Sequence, residues 1–366
     1  MSASTAQATP SSPDPGPEGA VAVLPVRGLG EIREGDDLGA LLATALRPMD
    51  PRPGDVLCLS TKIVSKALGL RVGPAEREEA VRGATVRLVA RRLHTHRVTS
   101  VVQIASGPVM AAAGVDTSNA PDGPLLLPED PDACARRLRR ALSAALGVEI
   151  GVLLTDTSSR VWRVGVGDIA LGADGVAALE DLRGGVDADG RPLTVTVRNL
   201  ADELAAAADL VKGKASGVPA ALVRGVAGAT AGDIPARDLS RTGEDDWFRR
   251  PSLESVWVAL GLAPGQEPIA RMSPEPVAER IARALEVAAI PRAGGPASTA
   301  VVRPRPAGEE TAPIVVEAAD SSAEALIEAA TRAERIRTAL RAESLGAPLP
   351  PIDVEIAVPD TQEDPR

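Results

Sequence analysis

The residues most able to do chemistry in this chain are its lysines. Only four of the 40 basic residues are Lys, and all the others are Arg. They form two pairs, Lys62 and Lys66 in S-T-K-I-V-S-K (60–66), and Lys212 and Lys214 in L-V-K-G-K (210–214). The sequence leans towards Ala, Gly, Pro, Arg and Val, so a generic surface cation here becomes Arg. A Lys that survives points to a need for a compact, hydrated ammonium that grips phosphate as a point charge. Either pair alone is explained by a solvated helix face. Both pairs beside the acidic motifs point to phosphate binding.

Two of those motifs carry candidate metal ligands. A-A-A-G-V-D-T-S-N-A (111–120) sets Asp116 and Asn119 three residues apart in a Gly-bounded loop, which suits an ion ligand beside a nucleotide contact, or an Asx turn. In L-L-T-D-T-S-S-R-V-W-R (153–163) an apolar run ends in Asp156 and Thr157, with Arg160 and Arg163 following. An acid beside a hydroxyl at a strand's C-terminal end is where α/β folds place magnesium ligands, and Arg160 can fork onto a phosphate or carboxylate. A capped loop is the alternative. G-L-G-E-I-R (28–33) offers a glycine bend that lets a ligand approach the backbone. S-T-K-I-V-S-K follows a strand like a phosphate cradle but lacks the Walker pattern. G-V-D-A-D-G-R (185–191) has too few oxygen ligands for a calcium loop and reads as a hairpin turn. Asp202 and Glu203 begin a helix that the second Lys pair ends, an order the helix dipole also explains.

The elements that position these residues follow from apolar spacing. Strands are expected at 20–26, 55–60, 148–155 and 191–197. Helices are expected at 35–46, 75–93, 130–147 and 201–211, and 219–225 closes the core. Asp130, Pro131 and Gly147 cap and end the third helix. Strands and helices intermix, so the class is α/β or mixed α+β. Residues 1–19 are Pro-rich and small, and are expected to be disordered. The core domain spans 20–260. A C-terminal appendix of unreadable role, 261–366, carries helices at 276–289 and 322–344 and apolar runs at 299–302, 313–317 and 352–358.

Composition removes several function classes. Aromatics are 1% of the chain and the formal charge is −10, so neither base stacking nor a basic stripe for nucleic acid is available. No apolar stretch reaches the ~18 residues of a membrane span, and no secretory signal is apparent. Cys58 and Cys134 fall on apolar faces and read as core thiols in a reducing cytoplasm. His94 and His96 lack acidic or Cys neighbours for a zinc site.

Taken in order, L-P-V-R-G-L-G-E, G-D-V-L-C-L-S-T-K-I-V-S-K, A-A-G-V-D-T-S-N, T-D-T-S-S-R-V-W-R and L-A-D-E-L-A-A-A-A-D-L-V-K-G-K resemble the coenzyme F420-0:L-glutamate ligase (gamma-glutamyl ligase) family over roughly residues 22–250. The resemblance implies a two-lobed mixed α/β fold, a homodimer, and a GTP-dependent amide ligase that uses Mg2+ or Mn2+. Its substrates would be GTP, L-glutamate and the deazaflavin coenzyme precursor F420-0, joined through an acyl phosphate. By motif, Leu29, Gly30, Glu31, Ile32, Thr61, Lys66 and Asn119 would meet GTP. Asp116, Asp156 and Thr157 would hold the ions, and Lys66, Asp156 and Arg160 would be catalytic. The chain departs from the family pattern at Leu68, at Q-I-A-S-G-P-V-M (103–110), at Ser159 and at Gly165-Val166. Those departures keep two alternatives open, an impaired nucleotide-binding paralogue and a ligase for another carboxylate. No flavin is expected in the appendix.

Overall fold

The computed structural model describes residues 19–160, 163–242, 253–263, 265–271, 274–303, 313–345 and 347–359. The expected disordered stretch therefore lies, but for Gly19, outside the described residues. The chain divides into two compact units, Met1–Arg87 with Val102–Trp247, and Leu88–Val101 with Phe248–Arg366.

In chain order up to residue 224 the elements are β1 (Ala22–Val26), α1 (Leu38–Leu46), β2 (Val56–Ser60), α2 (Thr61–Ala67), α3 (Arg77–Ala84), β3 (Thr85–His94), β4 (Arg97–Ile104), β5 (Val109–Ala111), α4 (Pro131–Leu146), β6 (Gly151–Ser159), β7 (Val166–Asp174), β8 (Leu179–Asp181), β9 (Val197–Asn199), α5 (Leu200–Lys212) and β10 (Ala220–Arg224). The central sheet has the order β1-β10-β2-β6-β7. Its β2–β6 pair is parallel and its other pairs are antiparallel. The continuous apolar run of β2 reflects burial on both faces. Leu57 and Leu59 pack with α1 and α4, while Val56 and Cys58 pack with α5. Helix ends follow the side chains that satisfy free amides. Asp37 accepts from Ala40 N at 3.0 Å, Asp130 from Ala133 N at 2.9 Å and Asn199 from Asp202 N at 3.1 Å.

Several sequence expectations need correction. The helix predicted over 75–93 stops at Ala84, and Thr85–His94 is a strand. The Glu residues that support a helix through i,i+4 pairing end at Glu79, and Thr85, Val86 and Val89 favour a strand. The strand predicted at 191–197 begins only at Val197, after Pro192 forms a single bridge with Val186. The strand predicted at 148–155 starts later, at Gly151, and continues to Ser159. β7 has no counterpart among the expected strands, because Gly167, Asp168, Gly172 and Asp174 break its apolar pattern. Gly172 is required there, since a Cβ would lie 2.4 Å from Pro131 O at the start of α4. The β6–β7 register slips after Leu154. Leu154 faces Gly172 and Thr155 faces Ala170, so Leu171 is an extra residue forming a bulge.

The second unit contains α6 (Leu253–Ala259), β11 (Ala270–Arg271), α7 (Val277–Ala289), β12 (Val301–Arg303), β13 (Ile314–Glu317), α8 (Ala323–Ser344) and β14 (Val354–Ala357). α7 and α8 pack together over a sheet of order β12-β13-β14, around buried Trp257, Ile314, Val316 and Ile336. Arg283 is held inside by Glu275 at 2.6 Å and Glu343 at 2.7 Å. Among the described residues, no helix is long and apolar enough to cross a membrane. Cys58 and Cys134 are buried and unpaired.

Candidate active site

Because β2 and β6 run parallel, Ser60 and the Asp156–Thr157 pair emerge at one edge of the sheet. The antiparallel neighbours begin at that same edge. Ala220 of β10 sits opposite Leu59, and Asp168 of β7 sits opposite Thr157. Beyond this edge lies a cavity of about 420 Å³, in the range of small-molecule sites. All four lysines of the chain line it, together with Gly30, Glu31, Ile32, Asn119, Asp156, Thr157 and Asp168.

Each lysine has an oxygen partner. Ser60 caps α2, so Lys62 and Lys66 share one helix face. Lys62 Nζ lies 2.7 Å from Asp116 Oδ2 and donates to Ser118 Oγ at 2.7 Å. Lys66 pairs with Glu31 across the glycine bend. Lys212, at the end of α5, is buried and donates to Asp168 Oδ2 at 2.5 Å and Thr155 Oγ1 at 2.6 Å. Lys214 is exposed and donates to the Thr157 hydroxyl.

The three acids are set apart by their partners. Asp168 accepts from Thr155 Oγ1 at 2.8 Å and Thr157 Oγ1 at 2.9 Å in addition to Lys212. Burial pushes its carboxyl up, but Lys212 and the two hydroxyls outweigh burial and hold it below the usual carboxylate range. Asp116 is likewise raised by burial and lowered further by Lys62 and Ser118. Asp156 has no cation within ion-pair distance among the described residues, and its one hydrogen bond comes from Thr157 N at 2.8 Å. Burial pushes its carboxyl up to about 6, against the pull of that amide and of Lys62.

The remaining candidates divide by position. Gly30, Glu31, Ile32, Lys66, Asn119, Asp156 and Thr157 border the cavity. Asp116 reaches it through Lys62. Leu29 and Thr61 are buried, Thr61 Oγ1 donates to Thr155 O at 3.3 Å, and neither lines the cavity. Arg160 lies over Gly167, also off the cavity lining. The cavity-lining residues that motif reasoning left out include Asp168, Asp209, Gly213, Ala215 and Gly217. Lys62, Lys212 and Lys214 carried a signal, their retention in an Arg-rich chain. Asp168 carried none, because its strand was not legible.

A family model described as F420-0:Gamma-glutamyl ligase matches residues 28–225. The chain belongs to that family. The matched span includes every residue that lines the cavity. The coenzyme F420:L-glutamate ligase of Archaeoglobus fulgidus is 38% identical over 246 residues, 63% of this chain and 97% of the relative. The protein of the same name from Methanopyrus kandleri is 39% identical over 241 residues, 60% of this chain and 94% of the relative. That from Natronomonas pharaonis is 39% identical over 252 residues, 63% of this chain and 95% of the relative.

The donors present fit the divalent ions that the family resemblance implies, provided the ions are shared with a ligand. They are hard oxygens, as Mg2+ and Mn2+ prefer. Asp156 is a carboxyl with no ion partner, raised by burial first and by Asp116 and Asp168 after it, a situation a cation relieves. Thr157 gives its hydroxyl hydrogen to Asp168 and accepts from Lys214, which leaves one lone pair of its oxygen for an ion. No group of three His, Cys, Asp or Glu among the described residues forms a ready cage. Phosphate oxygens and water would therefore complete the coordination, as is usual for Mg2+.

Proposed function

We propose that the protein is a GTP- and divalent-metal-dependent ligase that adds L-glutamate to F420-0 through an acyl phosphate. The observation that carries this reading is the convergence of four ammonium groups and one unpaired, buried carboxylate on a single cavity. Ammonium groups suit a triphosphate, and an acid without a counter-ion suits a metal that bridges to it. The names of the relatives support glutamate as the amine donor and the F420 skeleton as the acceptor.

In this reading Gly30, Glu31, Ile32 and Asn119 hold the nucleotide, and Lys66 and Lys214 meet its phosphates. Asp116, Asp156 and Thr157 hold Mg2+ or Mn2+, which when bound neutralises charge on the phosphoryl group. A carboxylate oxygen of F420-0 attacks the γ-phosphorus, the bond to the β-phosphate oxygen breaks, and GDP leaves. The amine of glutamate then attacks the acyl carbon, phosphate leaves, and the amine gives up a proton as the amide forms. The lysines position the phosphates in line and offset their charge, where most of the catalytic effect of phosphoryl transfer resides.

The test is an assay of GDP release and glutamate addition with F420-0, L-glutamate, GTP and Mn2+ or Mg2+. Product that depends on both GTP and metal is expected. GDP release that ignores F420-0, or none at all, overturns the reading.

A further inference from the structure

We propose that Lys62 is a resident counter-cation of Asp116, which moves to the nucleotide phosphates as a divalent ion takes its place. This rests on the GTP- and metal-dependent reading above and deepens it.

The geometry of Asp116 carries the inference. Both its oxygens are occupied within the protein. Oδ1 accepts from Ser118 N at 2.6 Å, while Oδ2 accepts from Ser118 Oγ at 3.1 Å and faces Lys62 Nζ at 2.7 Å. Ser118 Oγ also receives Lys62 at 2.7 Å, so the ammonium is clasped from two sides. A divalent ion needs a carboxylate oxygen at about 2.0–2.6 Å. It cannot share Oδ2 with an ammonium without strong like-charge repulsion. An ion at Asp116 therefore requires Lys62 to leave.

Lys62 is built to leave and Lys212 is not. The Lys212–Asp168 pair is sealed, with side chains 4% and 5% exposed, whereas Lys62 and Asp116 are 17% and 33% exposed. Lys62 lines the cavity and has a flexible four-carbon stem. Phosphates entering the cavity offer it a new partner at the moment the ion displaces it from the old one. Ion and nucleotide then assist each other's binding, and the coupling is reciprocal. Until both arrive, Lys62 keeps Asp116 compensated.

The experiment compares the wild-type chain with Lys62→Met, which keeps length and removes charge. Mn2+ binding is read from the electron paramagnetic resonance signal of free Mn2+, with and without GTP, and GTP binding is read by calorimetry. Without nucleotide, Lys62→Met should bind Mn2+ at least tenfold tighter than wild type. With Mn2+ saturating, it should bind GTP at least tenfold more weakly. The enhancement of Mn2+ binding by GTP should shrink by at least tenfold. Lys66→Met, which removes the partner of Glu31 instead, should leave Mn2+ affinity without nucleotide within threefold of wild type. Should Lys62→Met fail to fold, Ser118→Ala loosens the same clasp and should raise Mn2+ affinity about threefold. If wild type binds both ligands but neither clasp variant changes Mn2+ affinity, the transfer is wrong and the ligase reading stands. Equal gains in Lys62→Met and Lys66→Met also overturn it, as a general charge effect. If wild type binds neither Mn2+ nor GTP, both fall together.

Discussion

Asp156 and Asp168 stand on adjacent strands and border the same cavity, yet their surroundings drive them in opposite directions. Asp168 meets a buried ammonium and two hydroxyls and is held ionised. Asp156 meets one amide, and burial raises it to about 6. The difference teaches that the two acids have separate tasks. One belongs to the framework and is satisfied within the fold. The other is left wanting a cation, which is what a binding group requires.

The sharpest way to break this contrast is to remove each acid in turn. Asp168→Ala should leave Lys212 buried and unpaired, and cost about 3–5 kcal/mol in urea unfolding. The double variant Asp168→Ala/Lys212→Met should recover most of that loss, and a stable single variant would show that the pair is not structural. Asp156→Asn should leave the chain folded and, at pH 7, no less stable than wild type, while slowing GDP release by a hundred- to a thousandfold, the scale on which removal of a charge-stabilising group acts. Loss of folding with activity spared would reverse the two assignments.

Titration separates them again. The folded Asp156 holds its proton up to about pH 6, whereas the unfolded chain releases it near the ordinary carboxylate value of 3.8. Between those limits the folded state binds more protons, so this group's contribution lowers stability as pH rises, by up to about 3 kcal/mol. Asp168 has the opposite sign. Its stabilisation is present above the ordinary value and is lost as pH falls through its lower folded one. Unfolding of wild type and Asp156→Asn across pH 4–7 should therefore diverge, with the variant gaining on wild type as pH rises. The smallest effect concerns Cys58, beside the same network. Burial pushes its thiol up to about 12, although Lys212 pulls it down. At pH 8 a thiol reagent should label it at less than about a tenth of the rate seen in urea.

Part of this contrast is visible in the sequence. The retained lysines single out both sides of the cavity, and Asp116, Asn119, Asp156 and Thr157 stand out as two acids, an amide and a hydroxyl in a loop and at a strand end. Caps at Asp37 and Asp130 mark helix starts because side chains close to them in sequence satisfy the free amides. What stays hidden depends on partners far along the chain. β7 is a strand because β6 pairs with it, despite glycines and aspartates that suit a loop. Asp168 matters through Thr155, Thr157 and above all Lys212, 44 residues away. The 75–93 segment changes from helix to strand midway, where local charge pairing ends and cross-strand pairing takes over.

The single spare residue at Leu171 gives β7 a reading frame. Were the ladder regular, with Leu171 opposite Thr155, Ile169 would face Thr157 and Asp168 would turn to the other side of the sheet. Lys212 would then sit among hydroxyls with no anion. The spare residue is slack in the thread, and taking Leu171 out should leave Asp168 opposite Thr157, because the pairs on either side of it already follow one another along β6.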